Sequence, residues 1–174
     1  MKISAQEEYG LRCLLQLAQS PAGSGLTVKE IALREGLSSA YVEKLLRLLG
    51  KAGLIHSVRG TKGGYLLNRR PQEISLASVV EALGKVPTPG EICGRFTGNR
   101  AECIHVGDCG IRSAWETLTS ALSGFLARTC LSDLVGAEAQ ARHTMEQRMG
   151  STPWRPAHSA DIQPIHMNVR KEER

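Results

Sequence analysis

Three cysteines lie near one another in the middle of this 174-residue chain, at positions 93, 103 and 109. Their spacing, C-x9-C-x5-C, differs from the paired C-x-x-C of zinc ribbons, and it supplies three thiolates where a closed tetrahedral site needs four ligands. Soft thiolates suit zinc, copper(I) and iron-sulfur clusters, so the residue types alone leave the metal open. A metal-free thiol switch is the remaining interpretation of Cys93, Cys103 and Cys109.

A fourth ligand would have to come from outside this trio. His105 is the nearest candidate along the chain, whereas Glu7 or Glu8 could arrive from a second subunit. The chain holds five cysteines, an odd number that argues against a disulfide framework and for metal or redox chemistry. The other two, Cys13 and Cys130, are interpreted as buried thiols.

The segment that carries the trio shows neither a helical nor a strand period from Gly84 to Asp108. Loops without regular structure become uncommon in compact domains beyond about 12–15 residues, so something else must order this one. We therefore predict a cysteine-rich cluster-binding loop over residues 84–109.

Ahead of this loop, the stretch from Thr27 to Tyr65 predicts a winged helix-turn-helix. Thr27 and Glu30 form a capping box at the start of one helix, and Gly36 stands where a left-handed residue would end it. A second helix is capped by Ser38 or Ser39 and runs to about Lys51. At about 100° per residue, its side chains divide into an apolar face and a polar face suited to a major groove.

The wing follows as two short strands, LIHSVR and YLLN, joined by a glycine-rich tip. Arg59 is placed to enter an adjacent minor groove, and Glu43 on the second helix can accept a hydrogen bond from a cytosine amino group. The candidate DNA-contacting residues are Thr27, Ser38, Ser39, Ala40, Tyr41, Glu43, Lys44, Arg47, Arg59, Thr61, Lys62, Gly63 and Gly64.

Charge decides between a DNA-binding and a protein-docking winged helix. Residues 1–70 hold 11 Lys and Arg against 5 acidic residues, whereas residues 71–149 hold 7 against 9. The basic surplus thus lies with the winged helix, as expected if neutralising phosphates drives association. An aromatic content of 4% argues against single-strand stacking and favours duplex DNA. The sequence contains no acid pair, nucleophile elbow or phosphate loop that would predict an enzyme.

A long helix is predicted from Gly110 to Thr129. Its apolar residues recur at alternating spacings of four and three, as in a coiled coil. The alternative is one face of an ordinary core helix; we favour a homodimer seam because a palindromic DNA site requires a two-fold protein. The seam residues are Ile111, Trp115, Leu118, Leu122 and Phe125.

The sequence therefore predicts a mainly α protein with a small β-wing, in which a winged helix-turn-helix precedes a long dimerisation helix. We assign residues 1–83 to the DNA-binding domain, 84–109 to the loop, 110–149 to the dimerisation helix and its following segment, and 150–174 to a disordered tail. No stretch reaches the ~20 apolar residues of a membrane span, and the amino terminus lacks a signal-peptide core, so a cytoplasmic protein is expected.

This order of wing, cysteines and long helix resembles the IscR-like family of winged-helix iron-sulfur regulators. The resemblance covers about Met1 to Val135, through MKISAQEEYGLRCLLQLA, LSSAYVEKLLRLL, SVRGTKGGYLL, the three cysteines and GFLARTCLSDLV. It implies a homodimeric transcription factor, often a repressor, that binds duplex DNA at a palindromic operator. It also implies a cluster, commonly two-iron two-sulfur, ligated by Cys93, Cys103 and Cys109.

The chain departs from the best-known members of that family at two points. The first cysteine gap is longer, and Arg112 stands where some members carry a histidine ligand, three residues after the last cysteine. Other members take a carboxylate near position eight of the first helix from the neighbouring subunit, and Glu8 fits that pattern. The resemblance thus ranks Glu8 first as the fourth ligand, His105 second, and an exogenous thiol or water third.

Overall fold

The chain is built from helices with one small sheet. A computed structural model describes residues 3–21, 23–60, 63–86, 88–94, 98–100 and 102–149. The elements in these residues are α1 (Ala5–Gln19), α2 (Val28–Glu35), α3 (Ser39–Lys51), β1 (Ile55–Val58), β2 (Gly64–Leu67), α4 (Leu76–Leu83), α5 (Pro89–Gly94), α6 (Gly110–Arg128) and α7 (Glu138–Met149), with 3-10 helices at Pro71–Glu73 and Leu131–Leu134. The predicted fold class is confirmed, while the predicted tail, 150–174, lies outside the described residues.

Capping residues set the boundaries of the first helices. Ser4 and Thr27 each accept a hydrogen bond from the amide three residues later, and the Glu7 and Glu30 side chains accept from the cap amides in return. Gly36 ends α2 in the left-handed conformation, at φ 65°. Because these signals are local, α2 begins where the sequence predicts.

The hydrophobic core lies where α1, α3 and α4 pack together. Gly10 of α1 allows a close approach, because a Cβ there would lie 2.4 Å from the Leu83 side chain of α4. Leu48 is only partly buried, so the apolar arc predicted for α3 is confirmed with that residue at its edge. The core residues of these helices include Cys13, Leu14, Leu17, Val42, Leu45, Leu46, Leu49, Val79 and Leu83.

The wing is an antiparallel pair in which Ile55 opposes Leu67 and Val58 opposes Gly64. Leu26 extends this sheet, since its amide donates to the Tyr65 carbonyl at 3.2 Å and its carbonyl accepts from the Tyr65 amide at 2.8 Å. The wing is therefore fixed to the segment that leads into α2, and β1 also packs against α3.

The chain leaving α6 returns to the winged helix. The Leu76 amide donates to the Thr129 carbonyl and the Leu131 amide to the Ile74 carbonyl, both at 2.8 Å. Thr129 and Leu131 are fully buried, so the carboxyl end of α6 is anchored in the core. By contrast, α6 itself contains no buried residue.

One prediction about the cysteine-rich loop is wrong, because the loop contains α5. The Thr88 amide donates to Glu91 at 2.9 Å and the Glu91 amide donates to the Thr88 hydroxyl at 3.3 Å, while Pro89 fills the first helical position. A six-residue helix is too short to show a period, but its capping pattern was visible in the sequence.

In the part of the chain that the structure describes, no helix is long and apolar enough to cross a membrane.

Candidate functional site

The polar face of α3 is open to solvent. Ser38 caps the helix by accepting from the Tyr41 amide at 3.3 Å, and Ser39 and Ala40 follow it on the surface. Further along, Lys44 is exposed and Arg47 pairs with Glu43 at 3.3 Å, with 75% and 58% of these two side chains exposed. The predicted contact residues of α3 other than Tyr41 thus lie on an accessible surface.

Tyr41 is partly buried instead. Its ring meets the Tyr9 ring edge-on at 6.2 Å between centroids, and the Arg12 guanidinium lies 5.7 Å from the Tyr9 centroid. Tyr41 therefore connects α3, the proposed recognition helix, to α1, and only part of its side chain faces solvent.

Thr27 is exposed at the start of α2, where its hydroxyl and amide each donate to Glu30 at 2.7 Å. These hydrogen bonds hold the pKa of Glu30 below its usual value, and the bond from the Thr27 amide has the largest effect. Thr27 therefore already has a capping role, and its predicted DNA contact remains a prediction.

The wing residues divide into an exposed part and a part required by the fold. Arg59 is exposed directly after β1, while Thr61 and Lys62 lie outside the described residues. A Cβ on Gly63 would lie 2.5 Å from the Val58 carbonyl oxygen, and Gly64 has φ 144° with its Cβ position 2.7 Å from the Leu26 carbonyl oxygen. Packing alone accounts for these two glycines, so they give no separate indication of a phosphate contact.

The three loop cysteines are all free thiols, located at different points of the loop. Cys93 is exposed in α5, Cys103 is partly buried at the start of a turn, and Cys109 is the partly buried residue that precedes α6. Among the described residues, no three His, Cys, Asp or Glu side chains form a group that could hold a metal ion. The donor types fit a thiolate-ligated cluster, and the thiols would have to converge to bind one.

The two candidates for a fourth ligand lie in different environments. Glu8 on α1 is half exposed and pairs with Arg12 at 3.1 Å; Arg12 also lies 3.7 Å from Glu35, whose side chain is nearly buried. His105 is exposed, and its carbonyl accepts from Arg112 at 3.4 Å. Neither belongs to a metal-binding group in the residues described.

Two contacts that sequence reasoning missed fix the flanks of the loop. On one flank, Lys85 donates to Glu91 at 2.5 Å, and this bond together with the Thr88 amide lowers the pKa of Glu91 to about 2. On the other flank, Arg112 donates to the Val106 carbonyl at 2.7 Å. The Thr88-to-Glu91 pattern could have revealed the first flank, whereas no local pattern predicts the second.

The remaining two cysteines differ from each other. Cys13 is fully buried, and burial, with the nearby Glu35 carboxylate adding to it, raises its pKa to about 12. Cys130 is only partly buried; its carbonyl accepts from the Asp133 amide at 3.0 Å, and its amide donates to the Asp133 carboxylate at 2.9 Å. The interpretation as a buried thiol is confirmed for Cys13 and is too strong for Cys130.

The apolar stripe of α6 is largely open in the single chain. Ile111, Trp115 and Leu118 are 67%, 41% and 55% exposed, and Leu122 and Phe125 are partly buried. A surface of this kind is typical of an interface with another protein.

Comparison with known families decides which family this protein belongs to. Residues 3–137 match the family described as Rrf2, iron-dependent transcriptional regulator. The chain belongs to the Rrf2 family. It is 35% identical to protein rrf2 of Nitratidesulfovibrio vulgaris over 135 residues, which cover 78% of this chain and 87% of that protein.

Two further Rrf2-type relatives extend the comparison. The chain is 28% identical to the transcriptional regulator IscR of Serratia proteamaculans over 171 residues, 98% of this chain and 99% of that one. It resembles the structure of CymR, the global cysteine regulator of B. subtilis, with a TM-score of 0.62 and 29% identity, over 77% of this chain and 95% of that one. The resemblance to IscR-like regulators is thereby confirmed. The chain is a DNA-binding transcriptional regulator of the Rrf2 family, not an enzyme.

Proposed function

We propose that this chain is a homodimeric repressor whose operator binding is controlled by an iron-sulfur cluster, two-iron two-sulfur, held by Cys93, Cys103 and Cys109. The observation that carries the proposal is the position of three free, solvent-accessible thiols between the winged helix and α6, in a family described as iron-dependent. Such a cluster, when bound, supplies a link between the thiols that oxygen or a change of redox state can break.

Glu8 from the partner subunit is our first choice for the fourth ligand, followed by His105 and by an exogenous thiol or water. In support, Glu8 is half exposed and its only described ion pair is the one with Arg12 four residues on. Exposed pairs of this kind contribute roughly 0.3–0.5 kcal/mol, so breaking the pair with Arg12 to bind a metal would cost little stability.

The proposed dimer rests on α6. This helix of 19 residues has no fully buried residue within its own chain, and Ile111, Trp115 and Leu118 form an exposed stripe along one of its sides. A second copy would cover this stripe by a two-fold contact, which is the symmetry that a palindromic operator requires.

Control of DNA binding would follow from how the elements are connected. The carboxyl end of α6 is anchored on its own winged helix through Thr129 and Leu131, so each recognition helix moves with its α6. Convergence of the thiols would order residues 84–109 beside the amino end of α6 and so set the separation of the two recognition helices. We expect a coupling free energy of about 1–3 kcal/mol between this ordering and operator binding.

The second candidate keeps the winged-helix regulator but replaces the cluster with a structural zinc ion or a metal-free thiol switch. The thiol switch is favoured by the fact that Cys93, Cys103 and Cys109 are free and accessible, and the zinc ion by the affinity of thiolates for zinc.

The deciding experiment is anaerobic purification of the full chain, followed by a visible absorption spectrum and by iron, sulfide and zinc analysis. Operator binding is assayed before and after exposure to air, with Cys130→Ser as the cysteine control. Brown protein with acid-labile sulfide, whose DNA affinity changes when the cluster is lost, is the expected result. Colourless protein that carries zinc, or no metal after reconstitution, would reject the cluster in favour of the second candidate.

A further inference from the structure

We propose that Arg112 is a positioning residue that holds the backbone between Cys103 and Cys109 and so orders two of the three proposed ligands before a cluster binds. This inference rests on the proposed cluster function and concerns how the apo chain prepares for it. Arg112 contributes no ligand itself, because a guanidinium has donors only.

The proposal starts from the hydrogen bonds that close the segment between these two cysteines. The Val106 amide donates to the Cys103 carbonyl at 3.2 Å, and the Arg112 amide donates to the Cys109 carbonyl at 3.1 Å. Between them, the Arg112 guanidinium donates to the Val106 carbonyl at 2.7 Å and to the His105 carbonyl at 3.4 Å. One side chain in the first turn of α6 thus holds the middle of a segment whose two ends carry the thiols.

Apolar burial does not hold this segment. Ile104 and Val106 are 66% and 51% exposed, and every residue from 104 to 108 lies on the surface. A segment without core contacts opens easily, so its conformation depends on its few hydrogen bonds. Those from Arg112 are charge-assisted and therefore stronger than the bonds between neutral groups around them.

Cys93 is held separately. It lies on α5, which is fixed at its start by Thr88, Glu91 and Lys85. The chain therefore presents Cys93 on α5, which packs against α6, and Cys103 and Cys109 at the ends of the segment that Arg112 holds. Because ordering a ligand pair before binding lowers the cost of binding, Arg112 should make cluster retention tighter.

The test compares the wild-type chain with Arg112→Ala and Arg112→Lys. Arg128→Ala is the matched control, since it removes the same charge from an exposed position at the other end of α6. Three quantities are measured on the full chain: hydrogen exchange of the Val106 amide without a cluster, the urea midpoint of unfolding, and the rate at which a reconstituted cluster is lost to a chelator.

In Arg112→Ala we expect exchange at Val106 and cluster loss each to be faster by about tenfold, with an unchanged urea midpoint. Arg112→Lys should give exchange and cluster-loss rates between those of the wild type and of Arg112→Ala. The reason is that an ammonium lacks the planar fork that contacts two carbonyls. This variant also tests the proposal should the alanine variant fail to fold. Arg128→Ala should match the wild type in all three quantities.

Equal cluster retention in wild type and Arg112→Ala would overturn the proposal while leaving the cluster function standing. Complete rescue by lysine would also overturn it, since charge rather than the two-carbonyl contact would then be responsible. A wild-type chain that takes up no iron and sulfide would instead reject the proposed function, and this inference with it.

Discussion

Glu43 and Arg47 form an ion pair in the middle of the α3 surface that we propose faces DNA. Both side chains are mostly exposed, so the pair contributes only a few tenths of a kcal/mol and can be separated when DNA binds. Once separated, the Arg47 guanidinium can contact a phosphate or a guanine edge, while the Glu43 carboxylate tolerates only positions that offer a donor such as the cytosine amino group. Glu43 should therefore restrict which sequences are bound.

We expect Glu43→Ala to relax base preference and to strengthen binding to unrelated DNA, because a negative charge is removed next to phosphates. The measurement is the affinity for an operator and for a set of its single-base variants. Glu138→Ala is the control, since it breaks a similar exposed pair with Arg142 on α7. If the variant kept the parent's order of affinities across these duplexes, Glu43 would not be a base reader.

Cys13 affects stability through its ionisation. Its pKa is raised from 9.0 to about 12 in the folded chain, so the folded state keeps a proton that the unfolded state loses above pH 9.0. The stabilising contribution of the protonated thiol is complete below pH 9.0 and is lost as the pH rises toward about 12.

The stability difference between the parent and Cys13→Ala should therefore shrink as pH rises from 9.0 toward 12. Unfolding free energies from urea titrations at several pH values measure it, and comparison of the two proteins cancels the other titrating groups. A difference between parent and Cys13→Ala that stayed constant with pH would contradict this account.

At the scale of elements, the helices that the sequence predicted are those whose signals are local. The capping box at Thr27 and the two faces of α3 depend on residues within one or two turns, and both were confirmed. Helix α5 was missed because six residues carry no period, and the Arg112 contact was missed because it depends on a turn that only the folded loop forms. The bridge of Leu26 to the wing is likewise a contact between distant residues.

Helix α6 is the element on which the proposed dimer depends. At about 100° per residue, Ile111, Trp115 and Leu118 lie within one narrow arc, whereas Ser120 lies on the opposite side. In the single chain this arc is exposed and Ser120 is exposed as well, so neither is needed for the fold of the monomer.

We expect Trp115→Asp to convert the dimer into a folded monomer, because burying an unpaired carboxylate in an apolar seam costs several kcal/mol. Sedimentation velocity gives the mass, and circular dichroism confirms that the helices remain. Ser120→Asp is the control with the same introduced charge on the other side of the helix, and it should remain dimeric. If Trp115→Asp kept the mass of a dimer, α6 would be excluded as the dimer interface.

At the scale of the whole molecule, each winged helix and its own α6 form one body. The backbone pairing of Ile74 and Leu76 with Leu131 and Thr129 joins them, and α4 packs against α6. In the proposed dimer, the basic surplus of residues 1–70 would therefore approach DNA as two surfaces, each fixed to its own α6. We propose that the separation of these surfaces is set by the contact between the two α6 helices and by the cysteines that precede α6.

This arrangement predicts that cluster loss alters the dependence of binding on half-site spacing more than it alters contact with a single half-site. Affinities are measured, with and without the cluster, for palindromic duplexes that differ by single base pairs at the centre, and for an isolated half-site. The loaded dimer should prefer one spacing, because separation of the recognition helices is fixed. The cluster-free dimer should show a flatter profile, with the optimum weakened by about 1–3 kcal/mol.

Half-site affinity should be the same in both forms, because α3 and the wing are fixed within one body. If both forms gave the same spacing profile and differed on the half-site instead, control would act within the winged helix, through α1 and the Tyr9–Tyr41 contact, rather than between the two subunits.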